Sequence, residues 1–256
     1  MHEPPLLVIM AKAPVCGAVK TRLASEIGAI AAAALTRTLT EALLREVAGD
    51  PRFRTLLAIS PDQASCAPIA AWRVTLSKKM TGASTPRHGP LPAASACGCG
   101  LLRLRTRQGV FAREKDRMRG DSPNALRVPQ GRGGLGQRMQ RIFDACGRGP
   151  LIIVGTDIPF VTREIIADAF RNLRRADAVF GRAEDGGYWL VGLRRRLKRL
   201  APFGNVRWSS PHALADTLRN LRSESVAFAA TLFDIDTEAD YRRYLRERNA
   251  KARYAP

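Results

Sequence analysis

Three lysine and arginine side chains lie close together in a short loop near the start of the sequence. Lys12, Lys20 and Arg22 fall within residues 11–23, which also contain Gly17. Ammonium and guanidinium groups bind phosphate oxygens, and glycine lets a ligand approach the backbone closely. The spacing differs from that of a Walker A motif. The loop therefore predicts a phosphate contact, although a solvated basic loop has the same composition.

Aspartates form a second group of residues that could do chemistry. Asp157 follows the apolar residues of 151–155, and Asp234 and Asp236 stand near the end of the chain. Mg²⁺ in proteins uses one or two carboxylates together with phosphate oxygens and water, so Asp157 with Asp236 would suffice to hold it. Purely structural roles are also possible: Asp157 suits a turn before Pro159, and Asp234 and Asp236 suit an acidic turn before a helix. Both interpretations remain open at this point.

A third candidate is the segment from Glu184 to Gly187, which reads Glu-Asp-Gly-Gly. It would join two strands and place Asp185 beside backbone that a ligand can approach, so that Asp185 could accept a proton from a hydroxyl. Asp-Gly and Gly-Gly are also the commonest signals of a hairpin turn. The pattern favours neither interpretation over the other.

A glycine-rich stretch supplies the next candidate contact. Gln130, Gly131 and Gly133 come just before a predicted helix at 135–146. The free N–H groups at a helix N-terminus bind anions and polar groups. We therefore expect these three residues to contact a ligand.

The candidate residues lie where predicted strands give way to loops. Continuous apolar runs at 6–10 and 151–155 are typical of strands buried on both faces of a parallel sheet. Further strands are predicted at 53–60, 178–181, 188–193 and 226–233, and helices at 27–47, 135–146, 162–174 and from residue 237. Alternating strands and helices predict an α/β fold. Ligands of such sheets bind at the carboxyl ends of strands, where the loop 11–23 falls.

Residues 77–128 lack periodicity and are rich in Pro, Gly, Ser and Arg. Eleven Lys or Arg residues stand there against three Asp or Glu. This composition predicts a disordered insertion that interrupts a single domain of residues 1–256.

Composition limits the class of protein. Of the 256 residues, 45% are hydrophobic and 25% charged, as in a folded domain, and no segment approaches the ~20 apolar residues of a membrane-spanning helix. The N-terminal residues do not resemble a secretory signal, and five scattered cysteines do not suggest a disulfide framework. We therefore expect a cytoplasmic protein. The net charge of +19 would attract polyanions, but no recognition-helix or RNP-like motif supports specific nucleic-acid binding.

Six motifs follow one another along the chain. They read Lys12-x-Pro14-x-x-Gly17-x-x-Lys20-Thr21-Arg22-Leu23, Gln130-Gly131-x-Gly133-x-Leu135-Gly136-x-Arg138-Met139, Gly155-x-Asp157-x-Pro159, Glu184-Asp185-Gly186-Gly187-Tyr188-x-Leu190-x-Gly192-Leu193, Trp208-Ser209 and Asp234-x-Asp236-Thr237-x-x-Asp240. Together they resemble an uncharacterised transferase family often described as radical-SAM/selenodomain-associated. The resemblance covers nearly all of the chain except residues 77–128.

This resemblance implies a three-layer α/β/α fold with a mostly parallel central sheet. That is the GT-A-like, Rossmann-like fold of nucleotide-diphospho-sugar transferases, related to the guanylyltransferases of molybdenum cofactor and of phospholactate. The implied activity is that of a metal-dependent glycosyltransferase, which moves a sugar from a nucleoside-diphosphate sugar to a small acceptor with Mg²⁺ or Mn²⁺ as cofactor. The alternative is a nucleotidyltransferase that joins a nucleoside triphosphate to a phosphorylated acceptor.

Carried onto this sequence, the resemblance assigns roles to individual residues. Nucleotide binding falls to Lys12, Pro14, Gly17, Lys20, Thr21, Arg22, Gln130, Gly131 and Gly133. Lys20 and Arg22 are expected to act in catalysis together with Asp185, which would deprotonate the acceptor. Asp157 and Asp236 take the places of the metal-binding carboxylates. The family usually has Asp where this chain has Gly134, so a contact made by that carboxylate is lost here.

Overall fold

Strands and helices alternate along the part of the chain that the structure describes. The structure is a computed structural model, and it describes residues 4–62, 64, 125–146, 149–195 and 199–253. The strands are β1 (Leu6–Lys12), β2 (Arg54–Ser60), β3 (Leu126–Pro129), β4 (Gly149–Val154), β5 (Ala178–Ala183), β6 (Tyr188–Arg195) and β7 (Val226–Leu232). The helices are α1 (Thr21–Ile27), α2 (Ala29–Val47), α3 (Leu135–Ala145), α4 (Arg163–Leu173), α5 (Ala213–Arg219) and α6 (Glu238–Arg253).

These strands form one sheet in the order β3-β2-β1-β4-β6-β5-β7. Neighbouring strands run parallel except at β6, which is antiparallel to both β4 and β5. Leu7, Val8 and Ile9 of β1 are completely buried, because the central strands are covered on both faces. The predicted α/β fold with a mostly parallel sheet is confirmed.

Helices cover both faces of the sheet. On one face, Leu7 of β1 shares a core with Leu44 of α2 and Ile166 of α4. On the other face, Val8 of β1 shares a core with Phe143 of α3. Successive residues of β1 thus enter opposite cores, as the alternation of side chains along a strand requires. The result is the three-layer α/β/α arrangement that the resemblance implies.

A third, smaller core joins α1, α2 and α6 to the segment that follows β7. Leu23 of α1 and Ile235 are completely buried in it, beside Tyr244 of α6. Leu23 follows the basic loop, and Ile235 lies between Asp234 and Asp236. This core therefore holds two of the predicted site segments next to each other.

Among the boundaries that differ from the predictions, two change the local architecture. The predicted helix 27–47 begins later, at Ala29, because Gly28, with a φ of +90°, separates it from the additional helix α1. The predicted insertion 77–128 ends earlier, because its last residues belong to β3, which pairs with β2. The rest of that segment, up to residue 124, lies outside the described residues. The single-domain organisation stays a prediction.

The expectations about membrane-spanning helices and disulfides can be compared with the structure only for the described residues. No helix among the described residues combines the length and apolar character needed to cross a membrane. Cys16 and Cys146 are free thiols. The other three cysteines, Cys66, Cys97 and Cys99, lie outside the described residues.

Candidate functional site

The segments that carry the predicted site residues meet at one edge of the sheet. Strands β1, β2, β3, β4, β5 and β7 run in one direction, so the loops that follow them share this edge with the turn between β5 and β6. The edge carries the basic loop, the glycine-rich loop, the Asp157 loop, the 184–187 turn and the segment with Asp234 and Asp236. It is the edge at which ligands of open α/β sheets bind.

The basic loop connects β1 to α1. Of its predicted ligand contacts, Pro14 is buried, whereas Lys12, Gly17, Thr21 and Arg22 are exposed. Gly17 has a φ of +76°, a conformation that residues with a Cβ rarely adopt. The loop therefore presents exposed backbone and two exposed cations at the site edge.

Lys20, the third cation of this loop, is directed into the neighbouring segment. Its side chain is only 9% exposed, and Nζ donates a hydrogen bond of 2.6 Å to the carbonyl oxygen of Ile235. The same Nζ lies 3.6 Å from Oδ1 of Asp236. A lysine predicted to bind phosphate thus ties the basic loop to the segment after β7.

Arg22 differs from Lys20 in its exposure to solvent. Its side chain is 72% exposed, and Nη1 lies 3.8 Å from Oδ2 of Asp236. Asp236 therefore faces two cations, one with each carboxylate oxygen. The predicted metal ligand Asp236 serves as their counter-ion in this structure.

The loop after β4 carries Asp157. A Cβ on Gly155 would lie 2.8 Å from Oδ1 of Asp157, so glycine is the residue that leaves room for this carboxylate. The backbone N–H of Ile235 donates a 3.2 Å hydrogen bond to the carbonyl oxygen of Asp157. The two predicted metal-binding residues, Asp157 and Asp236, therefore lie on segments joined by a direct backbone hydrogen bond.

Asp234 belongs to the site, although the sequence analysis does not assign it a ligand role. Burial, together with the charges of Asp185, Asp236 and Asp157, raises the pKa of Asp234 to about 6. Carboxylates from three segments are therefore close enough to Asp234 for their charges to act on it. The sequence contains a signal for Asp234. Side chains alternate along an extended chain, so Asp234 and Asp236 fall on the same side, opposite the buried Ile235.

Residues 184–187 form the turn of the β5–β6 hairpin, as one of the two interpretations predicts. The carboxylate of Asp185 accepts a 2.8 Å hydrogen bond from the backbone N–H of Gly187. Gly186 has a φ of +87°, and a Cβ there would lie 2.6 Å from the carbonyl oxygen of Pro211. Asp185 is nevertheless exposed and lies among the carboxylates around Asp234, so the turn also places it at the site.

Gln130 is buried, and its side chain holds protein groups together. Nε2 donates hydrogen bonds of 2.9 Å to the carbonyl oxygens of Ala11 and Ala58. Oε1 accepts a 2.6 Å bond from Nη1 of Arg138. These bonds use both amide hydrogens, and the side chain joins β1, β2 and α3. The nucleotide contact of Gln130 stays a prediction.

The glycines after Gln130 shape the start of α3. Gly131 and Gly133 have φ values of +78° and +103°, and the N–H of Gly131 donates to Oδ1 of Asp62 over 2.9 Å. The N–H of Gly134 donates to Oε1 of Gln137 over 3.0 Å. A Cβ on Gly134 would meet no atom of the described residues within 4 Å. The position at which the resembled family has Asp is thus open.

The loop around Trp208 packs beside the hairpin turn. The Trp208 ring lies 6.2 Å from the ring of Tyr188 and 6.3 Å from that of Phe203, measured between centroids. Asp216, with a side chain 3% exposed, accepts bonds of 2.8 and 2.9 Å from the guanidinium of Arg207. These bonds hold the pKa of Asp216 well below its usual range. An ion pair thus fixes this loop.

The side-chain donor atoms of Asp157, Asp234 and Asp236 are carboxylate oxygens, the kind of atom that a hard divalent cation binds. Within the described residues, no group of three or more His, Cys, Asp or Glu side chains could by itself hold a metal ion. Mg²⁺ needs few protein carboxylates and completes its shell with phosphate oxygens and water. The repulsion that contributes to the raised pKa of Asp234 is the kind that a nearby cation relieves.

Part of the chain matches a described protein family. The profile of DUF2064, an uncharacterized protein conserved in bacteria, matches residues 94–210, less than half of the chain. The match includes the motifs around Gln130, Asp157 and Asp185, and it begins inside the segment predicted as an insertion. It does not reach the basic loop or Asp234. No curated protein matches the sequence.

The structure is similar to solved structures of other proteins. A protein from Desulfovibrio desulfuricans G20, provisionally assigned as a nucleotide-diphospho-sugar transferase, is similar with a TM-score of 0.62 and 22% identity, over 92% of this chain and 84% of that one. A Mycobacterium tuberculosis H37Rv protein gives a TM-score of 0.45 at 15% identity, over 96% and 100% of the two chains. CMP:2-keto-3-deoxy-manno-octonic acid synthetase complexed with CTP gives 0.46 at 12%, over 98% and 100%. The first similarity shows that the chain has a nucleotide-diphospho-sugar transferase fold.

Proposed function

We propose that the protein is a metal-dependent transferase that moves a sugar from a nucleoside-diphosphate sugar to the hydroxyl of a small acceptor. The observation that carries this proposal is the pairing of Lys20 and Arg22 with Asp236, whose charge acts together with those of Asp157 and Asp185 on Asp234. These residues follow the carboxyl ends of the strands, the edge at which ligands of open α/β sheets bind. A diphosphate needs cationic partners, and the divalent cation that accompanies it needs carboxylates. The fold shared with the D. desulfuricans protein supports the same class of donor.

The exposed groups of the basic loop are the proposed donor contacts. Lys12, Thr21 and Arg22 would bind the diphosphate, and the exposed backbone at Gly17 would allow its close approach. Pro14, which is buried, would stabilise the conformation of this loop. Gly131 and Gly133 would offer backbone to the nucleoside, with Gln130 holding their loop in place.

Asp157 and Asp236 are the proposed cation ligands, with Asp234 beside them. A bound Mg²⁺ or Mn²⁺ would offset the negative charge that develops on the leaving diphosphate. Lys20 and Arg22 would stabilise the same charge from the protein side.

The proposed transfer exchanges one bond at the anomeric carbon of the sugar for another. The acceptor oxygen bonds to that carbon while the bond between the carbon and the diphosphate oxygen breaks. The carboxylate of Asp185 takes the proton of the acceptor hydroxyl. The nucleoside diphosphate is the leaving group, and Lys20 and Arg22 stabilise its negative charge.

A thermal-shift screen tests the donor assignment. Nucleotide sugars and nucleoside triphosphates are added to the full chain with Mg²⁺, with Mn²⁺ or with chelator, because a ligand that binds the native state raises its melting temperature. We expect stabilisation that requires the cation. Asp157→Ala should lose this stabilisation and keep the fold, whereas Asp168→Ala, on the surface of α4, should behave like the wild type. Cation-independent behaviour of the wild type would overturn the metal assignment.

Nucleotidyl transfer is the second candidate, and the geometry of Asp185 favours it. One carboxylate oxygen of Asp185 already accepts the N–H of Gly187, and a phosphate nucleophile is ionised and needs no base. Release of pyrophosphate from a nucleoside triphosphate and a phosphorylated acceptor would identify this reaction. In that case Asp185→Asn should keep its activity, whereas in sugar transfer it should lose it.

A further inference from the structure

Asp236 is held by two ion pairs of unequal character. Its Oδ1 lies 3.6 Å from Nζ of Lys20 and its Oδ2 lies 3.8 Å from Nη1 of Arg22. Both distances exceed the roughly 2.7–2.9 Å of a direct charge-assisted hydrogen bond. Lys20 makes its direct bond with the carbonyl oxygen of Ile235 instead. The Asp236 carboxylate can therefore leave without releasing Lys20 from the backbone.

The exposure of Asp236 and Arg22 also favours exchange. Asp236 is 44% exposed and Arg22 is 72% exposed. Ion pairs at such exposure contribute little to stability, because water solvates the separated charges well. A diphosphate carries more negative charge than one carboxylate and offers several oxygens to the forked donors of arginine. It is therefore the stronger partner for Arg22 and Lys20.

Asp236 also lies within electrostatic reach of another carboxylate. Asp236 acts on the charge of Asp234, which in turn lies near Asp157. The backbone at this point is fixed, because Ile235 is completely buried and its N–H bonds to the carbonyl oxygen of Asp157. Because this backbone is held, a movement of the Asp236 carboxylate away from the cations of the basic loop needs rotation of its side chain only.

We propose that Asp236 is an internal counter-ion that exchanges partners when donor and cation bind. Without ligand it neutralises Lys20 and Arg22; with ligand, the diphosphate takes over these two side chains and the divalent cation takes over Asp236. This inference rests on the proposed function. Because of this exchange, the diphosphate and the cation each strengthen the binding of the other, and such coupling is reciprocal between the two ligands.

Calorimetric titration of the full chain with inorganic pyrophosphate, in Mg²⁺ and in chelator, tests the exchange. For the wild type we expect Mg²⁺ to tighten pyrophosphate binding about tenfold, within the usual range of coupling between two ligands. Asp236→Asn should bind pyrophosphate more tightly than the wild type in chelator, because Lys20 and Arg22 lose their counter-ion. Its gain from added Mg²⁺ should be smaller. Glu238→Gln, a nearby acidic position on α6, should match the wild type in both buffers.

The outcomes separate this inference from the proposed function. If the wild type binds pyrophosphate but Asp236→Asn binds it no better in chelator, the exchange is wrong and the proposed function stands. If the wild type binds neither pyrophosphate nor any nucleotide in either buffer, both are wrong. Circular dichroism checks that each variant is folded, and Asp236→Ser provides a second neutral side chain should Asp236→Asn unfold.

Discussion

Lys20 and Ile235 are joined by a 2.6 Å hydrogen bond although 215 positions separate them in the chain. The bond runs from a side-chain ammonium to a backbone carbonyl, so its acceptor is placed by the main chain after β7 and not by a second side chain. Leu23 and Ile235 pack in the third core and so hold the end of the basic loop next to the segment after β7. The basic loop and the acidic segment of the site are therefore built as one unit.

Lys20→Met should lower the stability of the fold. The carbonyl oxygen of Ile235 would lose its donor in a largely buried place, and an unsatisfied buried acceptor costs about 1–3 kcal/mol. Thermal and urea unfolding would measure this loss. Lys20→Arg would not substitute fully, because a planar guanidinium differs from a compact ammonium in shape.

Arg22→Gln, in the same loop, should leave stability unchanged and weaken donor binding. Arg22 is 72% exposed and makes one loose ion pair, so its removal should change the unfolding free energy by less than about 0.5 kcal/mol. The loss of a charge-assisted contact should raise the Kd for the nucleotide roughly tenfold. Arg242→Gln on α6 is the control. Equal unfolding free energies for Lys20→Met and Arg22→Gln would contradict the distinction drawn between the two cations.

Asp234→Asn should raise the melting temperature in a buffer without divalent cations. The pKa of Asp234 is about 6, above that of an unfolded aspartate, so its charge destabilises the folded state at pH 7. After discounting for solvent screening, the gain should be about 1–2 kcal/mol. The variant should also be stabilised less by Mg²⁺ and a nucleotide than the wild type. A lower melting temperature than that of the wild type would show that Asp234 is not repelled by its neighbours.

Much of the fold follows from the sequence because its strands are locally encoded. The runs at 6–10 and 151–155 are apolar at every position, and this pattern is typical of strands inside a covered parallel sheet. Thr162 caps α4, since its side chain accepts a hydrogen bond from the N–H of Ile165. Helix α1 is missed because its seven residues follow a loop motif and are too few to show clear periodicity.

The site is less predictable because its contacts join distant positions. The basic loop and the aspartates are found by residue type, yet nothing local indicates that Lys20 bonds to Ile235 or that Gln130 bonds to Ala11 across 119 positions. Such bonds depend on the order of strands in the sheet. Asp234 is missed for another reason. Asp157 and Asp236 already make up the two carboxylates expected for a Mg²⁺ site, so residue type and number do not call for Asp234.

Gln130→Leu should destabilise the protein while keeping the volume of the buried side chain. The substitution leaves the carbonyl oxygens of Ala11 and Ala58 and the guanidinium of Arg138 without their partner, at a cost of about 2–4 kcal/mol. Urea unfolding would measure the difference. Gln137→Ala, an exposed glutamine in the first turn of α3, should cost less than about 1 kcal/mol. Similar costs for the two variants would contradict the bracing role of Gln130.

Asp216→Asn should reduce stability at neutral pH and have a smaller effect in acid. Arg207 holds the pKa of Asp216 well below its usual range. The stability that this pair contributes is fully present above the pKa of an unfolded aspartate, about 4, and is lost as the pH falls towards the lower folded value. Melting temperatures of variant and wild type should therefore differ at pH 7 and pH 5 and converge below about pH 4. Asp168→Asn, which breaks an exposed pair with Arg171, should shift the melting temperature little at any pH. A difference between Asp216→Asn and the wild type that stays constant from pH 7 to pH 3 would mean that packing rather than charge holds the Trp208 loop.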